Sequence, residues 1–297
     1  MVHGATAFLA ACLALAAAGG AKAQGFAPVV DPAAPEPRFL ESDGLTVTFR
    51  PAAEPQGEET GALVIETRVE AEGFAPVVFP VTSYPPGTVP LHAVVRLHAE
   101  DPVPSLLIQS YTGGAHCCTE YLAVTPVGDA LKVIGVGMFD GDLMEDAPSD
   151  LDGDGRADFR LRDDRLLYEF APYAASWAPP LILNLVEGEV TDVSARPGFR
   201  ALMDDFAAQA LAACKDHGEE QRNGACAAYV AVRARQGAFE AALQEVAPHV
   251  NRADTGFMPA GCAVETVGLC PEGQEIRFSR FEDALRHHLQ RTGYLPR

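Results

Sequence analysis

The chain has 297 residues, of which 48% are hydrophobic and 21% are charged, and this composition is typical of a globular protein with a buried core. Its formal net charge of −19 disfavours nucleic acid and anionic membrane surfaces as partners. The length suits one large domain or two modest ones, and the acidic balance suits a secreted protein that binds cations.

Residues 1–23 have the pattern of a secretory signal peptide. An uncharged apolar run at 5–18 is followed by two glycines, and small residues at 21 and 23 fit cleavage before Gln24. A membrane anchor is one alternative, but the run is short for a bilayer. A lipoprotein signal ending at Cys12 is another, although the apolar run continues past that cysteine. We therefore expect a periplasmic or extracellular bacterial protein without stable membrane insertion after cleavage.

Residues 24–39 are rich in proline and alanine, which predicts an extended linker. From 40 to 196 short alternating or apolar segments predict strands, since Gly, Pro, Asp and Asn clusters separate many of them. The predicted strands are 45–49, 63–69, 78–81, 92–97, 106–110, 121–124, 131–136, 159–161, 166–170 and 181–186. This spacing predicts an antiparallel β-domain, either a sandwich or a propeller-blade-like stack of sheets.

Residues 150–158 are the most informative segment, because aspartates occupy positions 150, 152, 154 and 158. Oxygen ligands at alternate positions are how a short loop wraps a hard cation, and glycine permits the sharp bend between them. We predict a Ca²⁺ site with carboxylates from Asp150, Asp152, Asp154 and Asp158 and the main-chain carbonyl of Arg156. An EF-hand is not expected, because Leu161 occupies the position where that loop needs a bidentate acid. The alternative is an acidic surface turn without metal, whose carboxylates would repel one another.

This loop, flanked by short strands, resembles the calcium loop of FG-GAP or VCBS-type repeats. Such repeats occur in β-propellers and in secreted bacterial proteins, so the resemblance implies a blade-like unit with a structural Ca²⁺. The wider segment from 106 to 194, which carries the string Gly-Gly-Ala-His-Cys-Cys at 113–118, resembles exported bacterial proteins that contain one such unit.

Six cysteines follow the predicted signal, and an even count indicates disulfides in an oxidising compartment. Sequence proximity favours Cys214 with Cys226 and Cys262 with Cys270, which leaves Cys117 and Cys118 for each other. A Cys117–Cys118 ring beside Tyr111 and His116 is either a structural staple or a rigid platform for a ligand. A copper or zinc site here would have too few soft ligands.

Residues 197–297 are predicted to form an α-helical domain, because apolar side chains recur at helical spacing. The predicted helices begin near Phe199, at Ala225, near Phe239 and near Ser279. Cys214 and Cys226 would be neighbours in an antiparallel pair of the first two helices. His287 and His288 on the last helix predict a solvated face.

No nucleophile elbow, phosphate loop, dinucleotide fingerprint or His-Glu-x-x-His motif occurs in the chain. The first hypothesis is therefore a non-catalytic Ca²⁺-binding module with an unknown protein or glycan partner. The second is a hydrolase of envelope polysaccharide or peptide that uses acids among Asp140, Asp142 and Asp163. The third is a helical adaptor that binds a protein through an apolar groove on residues 199–246.

Overall fold

The computed structural model describes residues 25–31, 36–52, 62–84, 88–114, 117–140, 144, 146–218, 220–264 and 269–296. The predicted signal peptide, Cys12, His116 and Asp142 lie outside the described residues. Three antiparallel sheets are followed by α-helices and a two-stranded ribbon. The predicted α+β class, in which an antiparallel β-domain precedes a small disulfide-stapled helical region, is confirmed.

The strands in chain order are β1 (Ala27–Pro28), β2 (Arg38–Ser42), β3 (Leu45–Pro51), β4 (Leu63–Ala71), β5 (Val77–Ser83), β6 (Leu91–Val95), β7 (Ser105–Tyr111), β8 (Thr119–Val127), β9 (Ala130–Phe139), β10 (Phe159–Arg162), β11 (Pro180–Val186), β12 (Glu189–Asp192), β13 (Gly261–Cys262) and β14 (Glu275–Ile276). The helices are α1 (Arg200–Lys215), α2 (Asn223–Arg235), α3 (Phe239–Val246) and α4 (Phe281–Arg291). No helix in the described parts of the chain is long and apolar enough to cross a membrane.

The three sheets form layers with a five-stranded sheet, β1-β6-β7-β8-β9, in the middle. Leu106 and Ile108 of β7 belong to a core shared with the four-stranded sheet β2-β3-β4-β5. Leu107 belongs instead to a core shared with the three-stranded sheet β10-β11-β12. Successive side chains of a strand point to opposite faces, so a strand that is buried on both faces has a continuous apolar run.

The three-stranded sheet connects the β layers to the helices. Leu181, Leu183 and Leu185 of β11 pack toward the five-stranded sheet, whereas Ile182 joins the core formed by the helices. Helix α2 is buried on most of its surface and is rich in alanine, which lets its neighbours approach closely. The aspartate loop enters this three-stranded sheet through β10, so the fold places it beside the junction between sheets and helices.

The cysteine pairs that proximity favours are the pairs that lie at disulfide distance. Cys214 at the end of α1 and Cys226 at the start of α2 have an S–S distance of 2.07 Å. Cys262 and Cys270 have an S–S distance of 2.08 Å, and Cys117 is paired with Cys118. The first pair therefore links two antiparallel helices at one end.

Two predictions about the β-rich region and the segment before it are wrong. Val29 and Val30, within the expected linker, are each 1% exposed and lie in the core between two sheets, and Ala27–Pro28 pairs with β6. Residues 166–170 are not a strand, because Asp163 accepts a hydrogen bond from the N–H of Arg165 and caps a 3₁₀ turn at Asp164–Leu166. The backbone after this turn has positive φ at Tyr168 and Phe170, which is incompatible with a strand.

Candidate metal centre

The aspartate loop is closed at its base by an antiparallel bridge between Ser149 and Asp158. Inside the loop, the carboxylate of Asp150 accepts hydrogen bonds from the N–H groups of Gly153 at 2.7 Å, Asp154 at 3.1 Å and Gly155 at 2.9 Å. The two glycines have φ values of +79° and +85°, a left-handed backbone that glycine adopts without strain. The sharp bend predicted from sequence is therefore present, and the side chain of Asp150 lies at its centre.

Three of the predicted ligands lie together. Asp150, Asp152 and Asp158 each place one carboxylate oxygen within 4.8 Å of the others. Asp150 is exposed, Asp152 is half-buried and Asp158 is 2% exposed. Among the described residues, this is the one group of three or more His, Cys, Asp or Glu side chains with spacing suited to a cation. Carboxylate oxygens are the ligands that Ca²⁺ prefers.

The other two predicted ligands have different surroundings. One carboxylate oxygen of Asp154 is 3.0 Å from a guanidinium nitrogen of Arg196, and Asp154 is not part of the three-carboxylate group. Arg156 forms a backbone bridge with His98 at the end of the loop. The role of its carbonyl as a ligand stays a prediction.

Asp158 is held in a polar environment below the surface. One of its oxygens accepts the N–H of Leu151 at 2.7 Å, and the other accepts the side-chain amide of Asn184 at 2.7 Å. Burial raises the pKa of Asp158 above its usual value, and the charges of Asp152 and Asp154 raise it further, against these two hydrogen bonds. The folded loop therefore opposes the negative charge of this carboxylate, and a bound cation would offset that cost.

Three residues outside the loop hold it against the start of helix α1. Arg196 donates to Asp154 at 3.0 Å and to the side-chain oxygen of Asn184 at 3.1 Å. A Cβ atom added at Gly198 would lie 2.5 Å from the Cβ of Asp152, so the chain passes directly against the loop there. Sequence reasoning missed Asn184, Arg196 and Gly198, because no local pattern signals contacts between segments so far apart in the chain.

A cavity of about 370 Å³ lies beside the loop. Leu151 and Asp158 contribute to its wall from the loop, Arg160 and Arg162 contribute from β10, and Asp140 contributes from just after β9. The backbone N–H of Asp140 donates to the carboxylate of Asp164 at 3.0 Å. Because aspartate and arginine side chains both line the cavity, its wall carries both signs of charge.

Asp163, one of the three acids considered for hydrolysis, has a structural environment. It is 1% exposed and accepts hydrogen bonds from Arg165 at 2.7 Å, Tyr294 at 2.5 Å and Arg235 at 3.2 Å. Burial disfavours its charge, but the hydrogen bond and charge of Arg165, with Tyr294 and Arg235, hold its pKa below the usual value. This carboxylate joins the three-stranded sheet to α2 and to the C-terminal segment, and it has no surface for a substrate.

The turn proposed as a ligand platform is described only in part. The hydroxyl of Tyr111 donates to the carbonyl of Gly114 at 2.5 Å, and Thr112 N–H donates to the carbonyl of Cys118 at 2.9 Å. These contacts close the turn around the Cys117–Cys118 pair. Ligand binding by Tyr111 and His116 stays a prediction, since His116 lies outside the described residues.

The helical face proposed for an adaptor is buried. Phe199, Met203, Phe239 and Val246 are 2%, 4%, 6% and 0% exposed and share one core with residues of β11 and α4. These side chains therefore stabilise the contact between helices and sheet, and they are not free to form an exposed apolar face for a partner.

The C-terminal part of the chain matches a known family, and about two thirds of the chain resembles parts of longer proteins. The family described as "sll0997 C-terminal domain" matches residues 202–293, which run from α1 to just past α4. The chain is 31% identical over 217 residues to "Probable thylakoid lumen protein sll0997" of Synechocystis, covering 71% of this chain and 62% of that protein. It is 31% identical over 193 residues to "Uncharacterized protein y4bJ" of Sinorhizobium fredii, covering 65% of this chain and 30% of that protein.

The chain thus spans less than two thirds of the length of either relative. No solved structure gives a significant match.

Proposed function

We propose that this chain is an exported, non-catalytic binding module in which residues 150–158 hold one Ca²⁺. The observation that carries the proposal is the convergence of three carboxylates, from Asp150, Asp152 and Asp158, within 4.8 Å. The resemblance of the loop to FG-GAP or VCBS-type calcium loops supports the same assignment. The name of the Synechocystis relative, which places that protein in a thylakoid lumen, supports export.

The charge balance of the loop favours a divalent cation over a bare acidic turn. Arg196 forms an ion pair with Asp154, which is not part of the three-carboxylate group. The negative charges of three carboxylates so close together repel one another. A divalent ion bound by them removes this repulsion and supplies the coordination that Ca²⁺ requires from oxygen ligands.

The proposed role of the ion is to rigidify the connection between the aspartate loop, the three-stranded sheet and the helical region. The loop contacts β11 through Asn184 and the entry to α1 through Arg196 and Gly198. A bound Ca²⁺ would therefore fix the loop, the three-stranded sheet and the helical region as one surface. An unknown protein or glycan partner would recognise that fixed surface.

The hydrolase hypothesis has less support. Asp163 is engaged by two arginines and a tyrosine, and Asp142 lies outside the described residues. Asp140 lines the cavity beside the loop with Asp146 and Asp158, and Asp158 belongs to the three-carboxylate group proposed for the cation. The adaptor hypothesis required an exposed apolar face on the helices, and this face is buried.

Thermal unfolding with Ca²⁺ and with a chelator tests the proposal. Saturating Ca²⁺ at about 100 times Kd should stabilise the protein by about 2.7 kcal/mol, which raises Tm by roughly 5 °C for a chain of this size. An equal Tm under both conditions, together with no heat of Ca²⁺ binding in calorimetry, would contradict it.

Asp152→Asn separates metal binding from folding. The carboxylate of Asp152 accepts one hydrogen bond, from Asp154 N–H at 3.2 Å, so its loss should change the stability of the chelated protein little. Loss of one ligand charge should weaken Ca²⁺ binding by about tenfold or more. Asp205→Asn, on the exposed side of α1, removes the same charge and serves as the control. Equal Ca²⁺ affinity in the two variants would remove Asp152 from the site.

A further inference from the structure

A second concave site lies where the sheets meet the helices. This junction cleft has a volume of about 220 Å³ and lies between the turn that enters α1 and the end of α2. Arg196, Arg200 and Arg235 line it, and none of its lining residues is an aspartate or glutamate. Three guanidinium groups around one cleft are unexpected in a chain with a net charge of −19.

Arg235 is the deepest of the three arginines. Its side chain is 10% exposed and lies over the ring of Tyr294, with 4.1 Å between the guanidinium carbon and the ring centroid. One terminal nitrogen, Nη2, donates to Asp192 at 2.9 Å and to Asp163 at 3.2 Å. The other, Nη1, is buried and has no hydrogen-bond partner within the described residues. A buried donor without an acceptor is costly, so this nitrogen indicates a missing acceptor.

The other two arginines lie nearer the rim of the cleft. The side chain of Arg200 is 67% exposed and its one ion pair, with Asp204, has a distance of 3.7 Å. The side chain of Arg196 is 38% exposed and faces the aspartate loop with one nitrogen. The guanidinium fork has five donors, so both residues keep donors for a further acceptor. The amino-terminal end of α1 adds a partial positive charge at the same place.

The remaining walls of the cleft limit the size and nature of a ligand. Met203 and Val232 provide an apolar floor, and Gln236 adds a polar side chain. The volume is below the range typical of pockets for drug-sized molecules. It would accommodate an anionic group with a few carbon atoms attached.

From these observations we infer that the junction cleft binds a small oxyanion, either free or as the acidic group of a small organic molecule. Arg235 provides a preorganised donor at the base, and Arg196 and Arg200 close on the anion from the rim. Arginine suits this role because its planar fork matches carboxylate, sulfate and phosphate oxygens. The inference does not depend on calcium binding.

Calorimetric titration with inorganic sulfate, inorganic phosphate and butyrate at constant ionic strength tests it. Saturable binding of at least one probe is expected. A preference for sulfate or phosphate would identify a tetrahedral oxyanion, and a preference for butyrate would identify a carboxylate that uses the apolar floor. Absence of saturable binding by all three probes would overturn the inference.

Arg200→Gln and Arg277→Gln form a matched pair of variants. Arg277 is 89% exposed and pairs with Glu275 at 3.8 Å, much as Arg200 pairs with Asp204, but it lies outside the cleft. Arg200→Gln should weaken binding of the preferred probe by about fivefold, because a charge-assisted contact in a partly exposed site is lost. Arg277→Gln should leave the affinity unchanged. Equal affinities in the two variants would show that binding is a general effect of charge and would overturn the assignment.

Discussion

At the scale of single residues, the position of Asp152 depends on a glycine that is distant in sequence. Gly198 lies against this side chain so closely that any Cβ would approach the Cβ of Asp152 to 2.5 Å, the carboxylate oxygen to 2.9 Å and Cγ to 3.1 Å. The contact is with the rigid base of a short side chain, so the loop must shift if a methyl group is added. Glycine is required here by space and not by backbone conformation.

Gly198→Ala should therefore weaken Ca²⁺ binding without removing any ligand. The added methyl group would displace Asp152 from Asp150 and Asp158, and the strain should lower the free energy of unfolding by about 1–3 kcal/mol. Calorimetry with Ca²⁺ and chemical denaturation of the chelated protein measure the two effects. Gly256→Ala is the control, because a Cβ at Gly256 would meet no atom within 4 Å. A Ca²⁺ affinity equal to that of the control would mean that the loop tolerates displacement.

Residue patterns predicted the aspartates that converge in a short loop and missed the residues that position them. The alternate aspartates and the glycines of residues 150–158 specify a tight turn by local rules, and that turn is observed. The partner of Asp154 was not predictable, because Arg196 is separated from it by 42 positions. Nothing in the sequence alone indicates which arginine of an acidic chain will face a given carboxylate.

At the scale of elements, the last helix shows how tertiary packing overrides a local pattern. His287 and His288 lie near Arg286 and Arg291, a pattern that predicts a solvated face. His288 is instead 7% exposed, its Nε2 lies 2.7 Å from the carbonyl of Arg165, and its ring lies edge-on to Phe170. The pKa of His288 is lowered to about 4, mainly by burial and also by the positive charges of Arg291 and His287, against the hydrogen bond with the Arg165 carbonyl and the charge of Asp163.

This buried histidine should make stability depend on pH between about 6.5 and 4. Its pKa is about 4 in the folded protein and about 6.5 in an unfolded chain, so the unfolded state binds the proton first as the pH falls. The contribution of neutral His288 to the free energy of unfolding is present above pH 6.5. It is lost as the pH falls toward 4, by an amount on the order of 3 kcal/mol.

His288→Gln keeps a donor for the Arg165 carbonyl and does not titrate. The loss of unfolding free energy between pH 7 and pH 4.5 should therefore be smaller in this variant by about 2 kcal/mol. Urea unfolding at the two pH values measures the difference, and the lower stability of the variant at pH 7 does not affect it. An identical loss in both proteins would show that another group causes the pH dependence.

At the scale of the whole molecule, the strand patterns predict that sheets stack in layers. They predict the order of those layers less directly. The run of apolar residues at 106–108 indicates that β7 is buried on both faces, and two sheets do cover it. The sequence also separates a β-rich part from a helical part. It does not show that Ile182 of β11 shares a core with α1 and α2. Contacts between distant segments determine which face of β11 packs on the helices and which packs on the five-stranded sheet.

The same arrangement places the aspartate loop and the junction cleft on either side of Arg196. This residue donates to Asp154 of the loop at 3.0 Å and also lines the cleft. If both proposals hold, a bound Ca²⁺ weakens the attraction of the loop for Arg196 and adds positive charge near the cleft. Both effects favour an anion in the cleft.

Ca²⁺ should therefore increase the affinity for sulfate by about threefold, and sulfate should increase the affinity for Ca²⁺ by the same factor, since the coupling of two binding equilibria is reciprocal. Titration of sulfate with Ca²⁺ and with chelator, at matched ionic strength, measures the first change, and titration of Ca²⁺ with and without sulfate measures the second. Arg196→Gln should reduce the coupling, whereas Arg277→Gln, which is outside the loop and does not line the cleft, should preserve it. Equal sulfate affinities with and without bound Ca²⁺ would show that the two sites act independently, even though one arginine contacts the first and lines the second.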